Sequence, residues 1–174
     1  DGGDPELSAI IRVFRRSMTY EAKGSSYKVL SADAPTKHGL NASMILFDEL
    51  HAQPNRELWD VLTTSTGARA QPLVIAITTA GYDRHSICWE QHDYAVKVLS
   101  GIIEDDSFLA VIYAASEKDD WTDPKVWAKA NPGLGKSITL EYLENEAKRA
   151  AEVPAYQNTF RRLHLNQWTE QETR

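Results

Sequence analysis

Apolar residues in this chain come in short dense runs, separated by stretches where they recur at helical spacing. The runs are "MILF" at 44–47, "PLVIAI" ending at Ile77, and "FLAVIYAA" at 108–115. Unbroken runs of this length predict strands buried on both faces, because a half-exposed strand alternates. Between them the period changes. In "NRELWDVLTTSTGA", Leu58, Val61 and Leu62 fall at helical spacing and the segment ends near Gly67. In "SICWEQHDYAVKVLSG", Ile87, Tyr94 and Val98 lie roughly on one stripe, with Gly101 as the stop. Strands alternating with helices predict an α/β domain with a largely parallel sheet.

The two ends read differently. Asp4-Pro5 followed by "ELSAIIRVFRRS" predicts a short capped helix, and "SMTYEAKGSSYKVLSAD" predicts a hairpin around a Lys23-Gly24-Ser25 turn. After about residue 116 no strand-like run recurs, and the pattern predicts two or three helices. The expected organisation is an α/β core over 1–115 with a helical appendage over 116–174.

Composition narrows the possibilities only a little. A chain of 174 residues with 42% apolar and 25% charged residues is that of an ordinary globular protein with one real core. A net charge of −6 means that any contact with nucleic acid uses a local basic patch or another part of the molecule. The single cysteine excludes an intrachain disulfide and fits a reducing compartment. No apolar run approaches the roughly 18 residues needed to span a bilayer, so no membrane association is expected. The chain opens "DGGDPELSAI", without methionine and without a signal peptide, and reads as an excised piece or a processed product.

The candidate chemistry lies where "MILF" runs into Asp48 and Glu49. Two adjacent carboxylates at the edge of a core repel each other and lose hydration, which makes sense opposite a cation and a reactive water. In open α/β sheets ligands bind beyond the carboxyl ends of the strands. An apolar strand followed by Asp-Glu is the Walker B arrangement of nucleotide triphosphatases. There the aspartate holds Mg²⁺ through its water shell and the glutamate orients and deprotonates the attacking water. The plainer alternative is a strand that ends in solvated acids. Thr78 and Thr79 end the second run, at a position where motor ATPases sense the γ-phosphate of ATP; β-propensity alone would also favour threonines there.

The stretch "GLNASMILFDELHAQPNRELWDVLTTSTGARAQPLVIAITTAGYDRHSICWEQHDYAVKVL" closely resembles the terminase large subunit of HK97-like tailed phages, a DNA-packaging motor ATPase and endonuclease. "WTDPKVWAKANPGLG" and "PAYQNTFRRLHLNQWT" resemble the segment that follows the ATPase core in that family, so the likeness covers nearly the whole chain. The resemblance implies a P-loop-NTPase-like (ASCE) fold, a mostly parallel sheet flanked by helices, with a C-terminal helical appendage. It implies ATP and Mg²⁺ as cofactors, double-stranded DNA, a portal protein on a procapsid and a small terminase subunit as partners, a homo-oligomeric ring, and action in the host cytoplasm. By position Asp48 matches the Mg²⁺-coordinating aspartate, Glu49 the catalytic glutamate, and Thr78, Thr79 and Ala80 the coupling motif.

The departures from the family pattern matter too. Only 43 residues precede Met44, and none forms the phosphate-binding loop G-x-x-x-x-G-K-[ST]. The nuclease domain is expected to begin after roughly residue 170. On this reading the chain is the middle of a terminase, with the hydrolysis half of an ATP site and a connector. "ANPGLGKS" at 130–137 imitates the missing loop, but follows a helical, polar segment where a phosphate loop needs a buried strand. His85, Cys88 and His92 share a helix face without the fourth ligand a structural zinc requires. Arg161 and Arg162 beside Trp168 could grip a nucleic-acid backbone or simply form a solvated face over a packed ring. Lys37, Arg56 and Arg69 lie near the expected rim, where the family uses an arginine to complete a neighbouring subunit's site. His51 follows "DEL" and is expected to make a local hydrogen bond. Two alternatives stay open: a helicase-like ATPase, which needs a second domain with strands of its own, and a non-catalytic assembly or binding module.

Overall fold

The computed structural model describes residues 4–31 and 39–169. The chain divides into two compact units, residues 1–36 and 37–174.

In the first unit, helix α1 (Pro5–Ile10) is capped by Asp4, whose carboxylate accepts from the N–H groups of Glu6 and Leu7 at 2.8 and 3.4 Å. The helix is shorter than its sequence predicts. It stops at Ile10, and Arg12–Phe14 forms β1, paired antiparallel with β2 (Ser17–Tyr20), which also pairs with β3 (Ser25–Lys28). Val13 and Phe14 suit pleated backbone, and Met18 and Ser17 stand opposite them. The predicted hairpin between β2 and β3 is present, turned by Gly24 at φ 59, in the left-handed region that glycine enters freely.

The second unit begins with a parallel pair. β4 (Met44–Asp48) and β5 (Leu73–Ile77) run in register from Met44↔Leu73 to Asp48↔Ile77, and α2 (Glu57–Thr64) lies on the crossover between them. Helix α3 (Ile87–Leu99) follows, with the Ser86 hydroxyl accepting from the Trp89 N–H at 3.2 Å and Gly101 turning the chain away at φ 73. The fold is thus a mixture of helices with a small parallel sheet.

The strands are not buried on both faces, as the sequence pattern predicts. In β4, Ile45 and Phe47 are buried while Met44 and Leu46 are exposed, and in β5 Leu73, Val74 and Ile77 are exposed. The third expected strand joins no ladder among the described residues. Along 108–115, Leu109 is 91% exposed, and Val111 and Tyr113 are exposed as well. The run is tied down at its far end, where the Ala115 N–H donates to the Leu165 carbonyl at 3.0 Å. An apolar run becomes a doubly buried strand only if strands flank it on both edges and helices cover both faces, and in the described two-stranded sheet each strand has a single neighbour.

The remaining chain holds α4 (Pro124–Ala130), α5 (Leu140–Glu152) and α6 (Pro154–Leu165). Leu143, Phe160 and Leu165 are fully buried at their centre, with Trp127, Val126, Ala147, Ala150 and Ala115 around them. The change of character after residue 116 is therefore a change of secondary structure inside one compact unit. "ANPGLGKS" follows helix α4 and leads to Thr139, whose hydroxyl caps α5 by accepting from the Tyr142 N–H at 3.2 Å. It has no strand before it and is a helix–helix connection. No helix of the described residues is long and apolar enough to cross a membrane.

Two half-buried histidines give the unit an acid-side weakness. Burial holds His92 and His164 below their ordinary value of 6.5, partly offset by Asp93 and Glu146 respectively. Folding therefore favours the neutral rings. Their contribution is complete above the unfolded value and is lost as pH falls through the lowered folded values. The melting temperature is expected to drop between about pH 7.5 and about pH 5.5, a range in which ordinary carboxylates hardly titrate. A flat profile across that interval, by circular dichroism, would refute it.

Candidate functional site at the carboxyl ends of β4 and β5

Asp48 closes β4 opposite Ile77 of β5, and Glu49 then takes φ 55 and ψ 50. Left-handed backbone costs a residue with a Cβ about 1–2 kcal/mol. Among the described non-glycine residues only Glu49 and Asn166 have positive φ. The next residues hold the turn in place. A 3-10 turn over Leu50–Ala52, closed by the Ala52 N–H to the Glu49 carbonyl at 2.8 Å, buries Leu50 almost completely. With Leu50 fixed in the core, the Glu49 side chain remains 58% exposed while that of His51 is only 13% exposed.

Thr78 and Thr79 leave β5 directly after the residue that pairs with Asp48. The structure thus brings all four predicted site residues to one end of the sheet. His51 joins them. Its backbone N–H donates to the Thr78 hydroxyl at 3.0 Å, and its Nδ1 lies 3.1 Å from that oxygen, 3.4 Å from the Thr79 hydroxyl and 3.3 Å from Glu49 Oε2. The Thr78 hydroxyl donates to the Thr79 carbonyl at 2.9 Å and touches Cys88 Sγ at 3.7 Å. With the proton on Nδ1, His51 faces three oxygen acceptors and the Thr78 proton keeps its own acceptor. Burial raises the pKa of Cys88, and the thiol is held neutral.

The Asp48 carboxylate is exposed and has no hydrogen-bond or ion-pair partner among the described residues. An unengaged hard-oxygen donor suits Mg²⁺, which keeps several waters and takes only one or two carboxylates from a protein. The donor chemistry fits.

Other sequence candidates fare differently. Arg56 is held by Asp60 at 2.8 Å and Glu90 at 3.0 Å, and Arg69 donates to the Asn41 carbonyl at 2.7 Å. Lys37 lies outside the described residues. No group of three or more His, Cys, Asp or Glu that could hold a metal ion occurs among the described residues. Cys88 is buried and the His92 ring packs against Trp89 and Trp168. Arg161 donates to Gln167 Oε1 at 2.8 Å and Trp168 is buried edge-on to Trp89, so these two form no exposed basic and aromatic surface, while the Arg162 guanidinium lies 5.9 Å over the ring of the exposed Tyr82.

The central place of His51 and the whole role of Asn166 are not visible in the sequence. Asn166 caps α6 and bonds to the residue after Thr79, with its Oδ1 accepting from the Ala80 N–H at 2.6 Å. The signal for His51 was its place two residues after Glu49 on the turn leaving a strand. For Asn166 the only local sign was an asparagine where a helix ends.

A family model described as "Terminase large subunit, ATPase domain" matches residues 6–97, and one described as "Terminase large subunit, endonuclease domain" matches residues 102–174. The second match begins well upstream of the residue-170 start expected from the sequence. "Protein YmfN" of Escherichia coli (strain K12) is 38% identical over 130 residues, 75% of this chain and 29% of that protein. "Terminase, large subunit" of Enterobacteria phage HK97 is 33% identical over 143 residues, 81% of this chain and 27% of that protein. A solved structure titled "Crystal structure of the HK97 bacteriophage large terminase" superposes with a TM-score of 0.82 at 29% identity, covering 95% of this chain and 34% of that one. The chain spans less than a third of the length of these curated relatives.

Proposed function

Since the chain belongs to the terminase large subunit family, we propose that it supplies the hydrolysis side of the ATP site in a viral DNA-packaging motor. What supports this is the parallel register of β4 and β5, which sets Asp48 and Glu49 beside Thr78 and Thr79. Residues 1–115 contribute to an ATPase core of P-loop-like (ASCE) type. Residues 116–174, inside the stretch matched to the endonuclease model, form a helical connector. In the intact motor the partners are double-stranded DNA, a portal protein on a procapsid and a small terminase subunit. The motor is a homo-oligomeric ring working in the host cytoplasm.

Asp48 would hold Mg²⁺ through its free carboxylate oxygens; the ion, when bound, supplies positive charge opposite the ATP phosphates. Glu49 takes the proton of the attacking water. Its left-handed backbone and the neighbouring His51 Nδ1 fix the direction of the carboxylate, and such strain collects at functional residues. Thr78 and Thr79 report the γ-phosphate to the rest of the chain.

Thr78→Val tests the coupling role in the full-length protein. Valine keeps the β-branched shape but leaves the His51 N–H without its acceptor, a loss of about 1–3 kcal/mol. The DNA translocated per ATP is expected to fall more than nucleotide affinity does. The effect should exceed that of Thr79→Val, because among the described residues the Thr79 hydroxyl makes only the 3.4 Å contact with His51. Unchanged translocation per ATP in both variants would reduce the threonines to strand residues.

A further inference from the structure

The corner that follows β5 is gripped from two sides, and both grips act on the same peptide group. The carbonyl of the Thr79–Ala80 peptide accepts from the Thr78 hydroxyl at 2.9 Å, and that hydroxyl in turn accepts from the His51 N–H at 3.0 Å. The N–H of the same peptide donates to Asn166 Oδ1 at 2.6 Å, across 86 positions of sequence. A peptide group is a rigid plane. Rotation that follows the Thr78 hydroxyl at one end must therefore swing the N–H at the other.

Asn166 does more than end a helix. It caps α6 at φ 53, a conformation glycine would adopt with less strain. Its side chain spans two elements, with Oδ1 on Ala80 and Nδ2 donating to the Tyr113 carbonyl at 2.9 Å. Neighbouring bonds hold the same strip, from the Ala115 N–H to the Leu165 carbonyl at 3.0 Å and from Gln167 Nε2 to the Ser116 carbonyl at 2.6 Å. Ala80 is buried, so water does not readily replace Asn166 as acceptor. Two residues on, the Trp168 ring lies so close to Gly81 that a Cβ there would meet its Cζ3 at 2.9 Å.

We propose that Asn166 is a positioning residue: through the Thr79–Ala80 peptide it links the γ-phosphate-sensing hydroxyl of Thr78 to the C-terminal segment, and so sets turnover and coupling without setting nucleotide affinity. The proposal rests on the reading of Glu49 and Thr78 given above. Two variants of the full-length protein test it, beside Glu49→Gln as a control on that reading. Asn166→Gly keeps the left-handed backbone and removes both side-chain bonds. Asn166→Asp keeps an oxygen acceptor for the Ala80 N–H and replaces the donor to Tyr113 with a carboxylate oxygen, which that carbonyl repels.

The glycine variant is expected to keep its KM for ATP within about twofold while kcat and DNA moved per ATP fall roughly tenfold. The aspartate variant is expected to recover most of that loss. An aspartate variant no better than the glycine one overturns the proposal, because the bond to Ala80 is then not the operative one. A glycine variant that melts earlier, yet has wild-type kcat and coupling per folded molecule, makes Asn166 a fold clamp and also overturns it. If Glu49→Gln abolishes turnover while both Asn166 variants behave as wild type, only the Asn166 role fails. If Glu49→Gln keeps its turnover, the underlying reading fails and the proposal falls with it.

Discussion

Exchanging Glu49 for glutamine in the full-length protein is expected to lower ATP turnover by about 10²- to 10⁴-fold while nucleotide still binds. The amide has the carboxylate's shape, and its oxygen can still accept from His51 Nδ1, 3.3 Å from Oε2 in the native side chain. The left-handed turn and the buried Leu50 that fixes it are untouched. What disappears is the group that takes the proton from water. Asp48→Ala is the contrast, because it removes a carboxylate that has no partner among the described residues and should weaken Mg²⁺-dependent nucleotide binding itself. Turnover and equilibrium binding, measured on both proteins, separate the two roles. Identical defects in rate and affinity would show that the carboxylates are not divided between metal and water.

Phe160→Ala should be the most damaging single truncation in the helical part, at about 3–5 kcal/mol. The ring is completely buried, with the rings of Trp121, Trp127 and His164 at centroid distances of 5.8, 6.2 and 5.3 Å. Aromatic neighbours are large and stiff, so they close poorly over a hole. A globular domain has only about 5–15 kcal/mol in total, so the loss is a large fraction of the whole. Leu163 lies on the same helix but is 44% exposed, and Leu163→Ala should cost about 1 kcal/mol or less. Denaturant midpoints of the two variants decide the matter. Equal losses would mean that burial of Phe160 does not govern the stability of this bundle.

The four residues at the sheet end were legible in the sequence because each belongs to a strong local signal. "MILFDE" and "VIAITT" are apolar runs broken by polar residues, and the helix at Ile87–Leu99 carries its own cap and stop. Burial of the strands was not legible, because it depends on what lies beside them. The same apolar run reads alike whether or not a strand pairs with it, so residues 108–115 promised a ladder that the described residues do not contain. Arg12–Phe14 shows the reverse case, where pairing with Ser17–Tyr20 captured residues that the pattern assigned to a helix. His51 and Asn166 escaped because their meaning lies in bonds across 27 and 86 positions, which no local spacing encodes.

Cys88 turns the corner after β5 into its own reporter. It is the single cysteine of the 174 residues, almost fully buried, with its sulfur 3.7 Å from the Thr78 hydroxyl. It is the thiolate that attacks a thiol reagent, and burial disfavours both its formation and its access to solvent. Labelling must therefore wait for the corner to open, as hydrogen exchange waits for a local unfolding event. The time course of modification by a coloured disulfide thus works as a clock for that opening, with no dye engineered into the chain.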